Sequence, residues 1–544
     1  MTSFLRFFLA TSILLPATAS FGDELLPADR AIYEVIDHYI TLKLKQDGIP
    51  PVKPADDANL VRRLTLDLAG RIPSTAEARA YVESSDANKR NTLIERLLAS
   101  PDYAFHHRNE LDALLLAGNG SHDEWRAYLR TAADENRPWD QMFREMMLGR
   151  EQDPAQKTAL TFLKTRAKNV DDMTNDTSRI FFGVSIHCAK CHDHPLVDEW
   201  KQDHFFGFSL FFSRTYLTKK NTVAEKYNGT VKFKTTAGEE KQARFMFLTG
   251  ALVEEPQIEK SKEQRQQEDE EVKRQLKDDK APPPKPPEFS PRTKFVELAL
   301  NESDTPFFAR SIVNRIWVRL LGCGLVNPLD QMHSGNEPSH PQLLEWLARD
   351  LISHRYDLKR LIGGIVLSDT YARSSRWNGD NDPPEPNTFA VAVARPLSPQ
   401  QYSLSLHVAT RNPQTFARDV KPEDWRKRRE ALESAATGFS GLIERPTEQF
   451  QVSVDEALLF TNNERIEKEF LKPSDEKLVG YLKKIDDRSS MIEAAFWAIY
   501  SRPPTEEEQA ACADYLASRQ DQLESGIQQI VWVLITSPEM RVNY

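Results

Sequence analysis

Cysteine is scarce in this chain, with 4 in 544 residues. A disulfide-dense scaffold is therefore excluded, because such folds need several bridges in a short chain. A basic excess is also lacking. Lys and Arg number 71 against 81 Asp and Glu, a formal net charge of −10. A groove for nucleic-acid phosphates is not expected from that balance. After the N-terminus no apolar run is long enough to span a membrane, so no transmembrane segment is expected. Common catalytic signatures are missing too. There is no Gly-rich phosphate loop, no G-x-S-x-G and no H-E-x-x-H. Carboxylates are plentiful, but no spacing pairs two of them for glycoside hydrolysis.

What is present starts at the N-terminus. One positive charge at Arg6 precedes an apolar run from Phe7 to Leu15, then Ala17, Thr18 and Ala19 form an A-x-A site. This reads as a secretory signal peptide over residues 1–19, which predicts a periplasmic or secreted protein.

Cys188, Ala189, Lys190, Cys191 and His192 form a C-x-x-C-H pentapeptide, the attachment pattern of a c-type haem. Each thiol suits a thioether bond to a porphyrin vinyl group, and His192 offers an imidazole nitrogen to the iron. With 4 cysteines and 12 histidines in the chain, chance yields such a match on the order of once in a thousand chains. His194, His204, His187, His340 and Met173 are the candidates for a sixth iron ligand, and an open distal position is the alternative. Zinc is the rival cofactor. Cys188, Cys191 and His194, with His204 or His187, can make a tetrahedral Cys₂His₂ set. A plain disulfide or an unligated turn is the third reading. Aromatic and aliphatic residues flank the motif, from Ile180 to Ile186 and from Phe205 to Phe212. They serve either as walls of a haem slot or as ordinary core. Cys323 and Cys512 stand alone and read as small core residues, with a disulfide between them as the alternative.

The pattern elsewhere is mainly α. Ser74 and Glu77, and again Thr505 and Glu508, have capping-box spacing. Phe308, Ile312, Ile316 and Leu320 share one helical face, started at Thr305-Pro306 and stopped at Gly322. A helix entered at Ser339 turns Leu343, Leu344, Leu347, Leu351 and Ile352 inward. Asn314 and Arg315 either line a site or tie helices together. Residues 71–77 resemble residues 502–508, and each stretch leads through a helical hairpin to Ser-Pro-acid, at Ser100 and Ser537. Thr230 to Thr235 and Ala243 to Leu248 alternate about a turn at Ala237-Gly238, which predicts a β-hairpin. Glu254 to Pro287 is charged and then Pro-rich, a mobile tether or a solvated helix. The expected organisation is a signal peptide over 1–19, a helical domain with the motif over 20–215, and a β-hairpin insertion over 216–253. A linker over 254–295 and a second helical domain over 296–544 complete it.

These segments carry a resemblance. Asp67 to Pro73, Leu97 to Ala104 and Phe182 to Pro195 look like one domain of unknown function. Phe308 to Trp317, Glu337 to Leu347 and Ser501 to Glu508 look like its usual C-terminal partner. The two-domain family is abundant in planctomycete-type bacteria and often travels with cytochrome c modules. The resemblance covers nearly the whole mature chain. It implies no particular reaction, and it places any haem at Cys188, Cys191 and His192. Two functions follow. The first is an exported protein with one covalent haem c, acting in electron transfer or redox chemistry with a redox partner. The second is a non-enzymatic module with a zinc or disulfide knot, holding an extracellular polymer.

Overall fold

A computed structural model describes residues 25–116, 122–301, 306–415, 421–443, 458–461 and 463–544. The expected signal peptide over 1–19 and the expected helix start at Thr305 lie outside these residues. Among them, helices dominate and strands form only two-stranded antiparallel sheets, in agreement with a mainly α chain.

Local signals explain most helices. Ser74 and Thr505 each cap a helix, Thr75–Val82 and Glu506–Ser518, in a complete capping box with Glu77 and Glu508. The stripe from Phe308 to Leu320 is buried in helix Phe307–Leu321, which ends at Gly322 with φ +83°. Helix Pro341–Ser353 differs from expectation at both ends. His340, a helix-entry residue by its place between Ser339 and Pro341, is the N-cap in place of Ser339, whose hydroxyl lies 3.0 Å from His340 Nδ1. Ile352 is exposed, since the inward face is completed by Trp346 and Ala348.

The internal similarity is structural as well. Arg71 donates to both oxygens of Glu77, at 2.8 and 3.2 Å, and its Nε donates to Asp102 at 2.8 Å. Arg502 donates to both oxygens of Glu508, at 2.7 and 2.8 Å, and its Nε donates to Glu539 at 2.8 Å. The residue before each arginine is left-handed, Gly70 at φ +68° and Ser501 at φ +64°. The preceding helices, Asp57–Ala69 and Arg488–Ile499, are each capped by an aspartate, Asp56 and Asp487. The two units meet through an Arg79–Glu493 ion pair at 2.8 Å.

The β region departs from the expected single hairpin. Lys232–Lys234 pairs with Glu240–Gln242 around Gly238. Phe245–Met246 pairs instead with Leu252–Val253. The tight loop at Gly238, closed by a Thr235 N–H bond to Glu239 O, brings the charged residues opposite first. Phe245 and Phe247 are then free to enter the core. A further hairpin, Thr215–Leu217 with Val223–Glu225, precedes these.

The buried core does not divide at 254–295. Phe308 follows that segment, yet its ring lies 4.8–6.3 Å from those of Phe143, Phe181 and Phe182. Phe295, the last residue of the segment, lies 5.0–6.0 Å from Phe143, Phe182, Phe208, Phe211, Phe212 and Phe247. One hydrophobic cluster runs from Ile32 to Ala390 and includes Trp497. A second joins Leu66 and Ile72 to residues from Leu397 to Met540. The segment itself contains helix Lys262–Lys277, capped by Ser261 and Gln264. It is the solvated helix of the two readings, docked along one edge by Val272 and Gln275, where Tyr216 Oη bonds Gln275.

Candidate functional site

Helix Val170–Phe182 delivers the chain to the Cys188 motif. It stops at Gly183, φ +66°. The next residues run against 330–332: Ser185 N–H donates to Asp330 O and Met332 N–H to Gly183 O, both at 2.9 Å. A single 3₁₀ turn follows, His187–Lys190. Side chains three apart eclipse on such a turn, so Ile186 and Ala189 are both buried. Cys188, Cys191 and His192 are left exposed. Gln202 braces the turn from the next helix, Gln202–Leu210, by donating to Lys190 O at 3.2 Å. Lys190 pairs with Asp171.

The two motif thiols are free. His192 Nδ1 lies 2.7 Å from the carbonyl of Asp193. A carbonyl only accepts, so Nδ1 carries the proton and Nε2 presents a bare lone pair. A tied Nδ1–H is the usual support of a metal-ligating imidazole.

The other candidates are engaged elsewhere. His194 is buried, with its ring edge-on to Trp200 at 5.4 Å and to His333 at 5.9 Å. Its Nδ1 accepts from Leu196 N–H at 3.3 Å, and burial lowers its pKa. His204 Nδ1 accepts from Lys201 N–H at 3.3 Å at the start of its own helix. His187 Nδ1 meets Asn175 Nδ2 at 2.9 Å. Met173 is fully buried in helix Val170–Phe182. His340 packs on Phe389 at 5.5 Å. Among the described residues no group of three or more His, Cys, Asp or Glu side chains stands ready for a metal. The set Cys188, Cys191, His194 and His204 is therefore not brought together. The reason is that His194 turns inward under Trp200 while both thiols face out.

The flanking aromatics are core. Phe181, Phe182, Phe205, Phe208, Phe211 and Phe212 are all buried, most of them around Phe295. Phe206 is half-buried and stacks on Phe233 at 4.3 Å. The cleft beside the motif, about 520 Å³, is polar, with Arg166, Asp172, Asp176, Arg179 and His187 in its walls. Leu196, 62 % exposed, is the apolar side chain on the adjoining loop. The donor set fits a group attached at the surface, and no enclosed slot is formed by the residues around it. Asn314 and Arg315 are structural. Asn314 exchanges hydrogen bonds with the Val326 backbone at 2.8 and 3.0 Å. Arg315 joins Ile180 O and Asp330. Cys323 is buried and Cys512 half-buried, both as free thiols.

Two family models match this arrangement. PSCyt2, a protein of unknown function (DUF1549), matches residues 35–216, and PSD1, a protein of unknown function (DUF1553), matches residues 291–447. The chain belongs to this two-domain family. The first family match contains Cys188, Cys191 and His192, and the second contains Asn314 and Arg315. The repeated unit around Arg502 lies beyond both matches. No curated protein and no solved structure matches the chain.

Proposed function

We propose that this protein holds one covalent haem c at Cys188, Cys191 and His192 and passes electrons to a redox partner outside the cytoplasm. One observation carries the reading: His192 Nδ1 is committed to the Asp193 carbonyl while two free, exposed thiols stand beside it. The export signal at residues 1–19 supports the address. Attachment needs no oxidant, because each S–H adds across a vinyl C=C and nothing leaves. Haem supplies one-electron chemistry when bound. Cys188 and Cys191 would hold its edge, His192 would offer Nε2 to its iron, and Ile186 and Ala189, both buried, anchor the turn that carries them.

Expression in a host with haem-maturation machinery tests this. A Soret band should survive acid–acetone extraction and vanish in the Cys188→Ala, Cys191→Ala double variant. Colourless wild-type protein from a competent host would overturn the proposal, and metal analysis of that protein would then separate a zinc knot from a plain turn.

A further inference from the structure

Four basic side chains meet in the C-terminal half, far from the cysteine motif in sequence. His407 sits in the last turn of helix Pro399–Ala409, and Arg411 follows four residues on. Arg411 lies directly opposite Lys477 in an isolated antiparallel bridge, where side chains are near neighbours. Two hydrogen bonds set that bridge: Leu478 N–H to Thr410 O at 2.8 Å and Asn412 N–H to Glu476 O at 2.9 Å. Arg428 comes from helix Pro422–Ser440, which packs on Pro399–Ala409, and its charge acts on Arg411.

All four side chains are half-buried. Among the described residues no carboxylate forms an ion pair with Arg411, Arg428 or Lys477. Glu476 offsets part of the charge on Arg411, Glu469 and Glu476 offset part of that on Lys477, and Lys477 Nζ also donates to the Glu469 carbonyl. Like charges placed opposite one another repel, and the chain as a whole is acidic, at −10. Arg428 Nη1 and His407 Nε2 are moreover buried with no hydrogen-bond partner. The negative end of helix Pro399–Ala409 accounts for one cation nearby. It does not account for three, nor for an orphaned guanidinium nitrogen.

We infer that this cluster binds a phosphate group. Two guanidinium forks match the oxygens of a tetrahedral anion, and Lys477 adds a compact charge. His407 selects among such anions. It is held neutral by burial and by Lys477 and Arg411, with a pKa of about 4, and the Ala435 carbonyl accepts from it. Its Nε2 is thereby a bare acceptor, which suits the P–O–H of hydrogen phosphate or of a singly ionised monoester. Sulfate has no such proton.

Thermal melts and calorimetry on the full chain test the site, with inorganic phosphate, glycerol 1-phosphate, sulfate and chloride at matched ionic strength. Phosphate or its monoester should stabilise the protein at concentrations where sulfate and chloride do not. Tighter binding of the free ion or of the monoester tells which source the site serves. Arg428→Gln should weaken phosphate binding at least tenfold, and without phosphate it should melt no lower than wild type, because repulsion is relieved. His407→Gln should fold and bind but lose the preference for phosphate over sulfate. Equal stabilisation of wild type by all four solutes, or an unchanged phosphate response in Arg428→Gln, overturns the inference.

Discussion

Arg395 clasps both carboxylate oxygens of Asp67, at 2.9 and 2.7 Å, although 328 residues separate the two. Tyr371 Oη and Asn543 Nδ2 donate to the same carboxylate at 2.7 and 2.9 Å. From one turn earlier, Arg63 donates to the carbonyls of Tyr371, Arg373 and Tyr544. One short helix thus gathers the C-terminal half and the chain end through buried charge. A buried carboxylate with this many donors is well compensated.

Removing it leaves the cations alone. Asp67→Ala should cost about 3–5 kcal/mol in urea unfolding, the range for breaking a buried pair. Asp67→Asn keeps part of the hydrogen bonding and should cost less. A loss below about 1 kcal/mol would mean that water reaches Arg395 and the clasp is not closed.

Acid should release both copies of the arginine clasp. Burial alone raises the Glu77 carboxyl, but Arg71 overrides it and holds the group at about 2. Hydrogen bonds from Arg502 hold Glu508 at about 2. Both pKa values are depressed on folding. Their contribution is therefore full above the unfolded value of about 4.3 and lost as pH falls toward 2. Stability measured by denaturant midpoint should decline across that window, and Glu77→Gln should flatten the decline. An equally steep profile in Glu77→Gln would assign the acid sensitivity to other carboxylates.

Phe295 tests the shared core. Phe295→Ala should cost about 3–5 kcal/mol, as large-to-small changes at fully buried aromatics do. Its ring neighbours precede the charged stretch, and Phe308 from beyond that stretch packs on Phe143 and Phe182 as well, so unfolding should remain one transition. Two separated transitions in calorimetry would show that the halves unfold independently.

Proteolysis addresses the same segment. Residues 254–257 are exposed and precede the capped helix, so a Glu-specific protease should cut there early. The fragments should still co-elute on size exclusion and separate only in denaturant, since the core crosses the cut. Release of two free domains under native conditions would contradict that packing.

The two histidines of the motif loop should behave oppositely. His192 is exposed and His194 buried. His192→Ala should leave the melting temperature unchanged and abolish or destabilise haem incorporation. His194→Ala empties the space beneath Trp200, and should lower the melting temperature while keeping covalent haem. The reverse order of damage to the cofactor would favour a metal set that uses His194.

Much of the fold was legible locally. The capping boxes at Ser74 and Thr505 and the stripe from Phe308 to Leu320 depend on residues three or four apart. Gly238 turned the chain as its neighbours implied. The strand that returns from it was misplaced, because alternation in Ala243 to Leu248 looks the same whether the residues pair with a strand or feed a core. The candidate site was legible only in part. Cys188, Cys191 and His192 are adjacent, so their pattern is visible in the chain itself. The inward turn of His194 depends on Trp200 and His333, and nothing near His194 announces it. His407 and Arg411, Arg428, and Lys477 come from three separate segments, and each reads alone as an ordinary polar residue.

By itself the sequence determined the mainly helical character, the ends of several helices, the repeat of residues 71–77 at 502–508 and the identity of the pentapeptide. All of these are set by neighbours within a few turns of backbone. Only the tertiary structure decided that Phe295 and Phe308 join the aromatics ahead of the charged segment in one core, and that Arg395 neutralises Asp67. It also decided that the aromatics flanking the pentapeptide belong to the interior and not to a slot. Burial, charge compensation and the loss of water depend on which distant side chains arrive together, and no local pattern encodes that arrival.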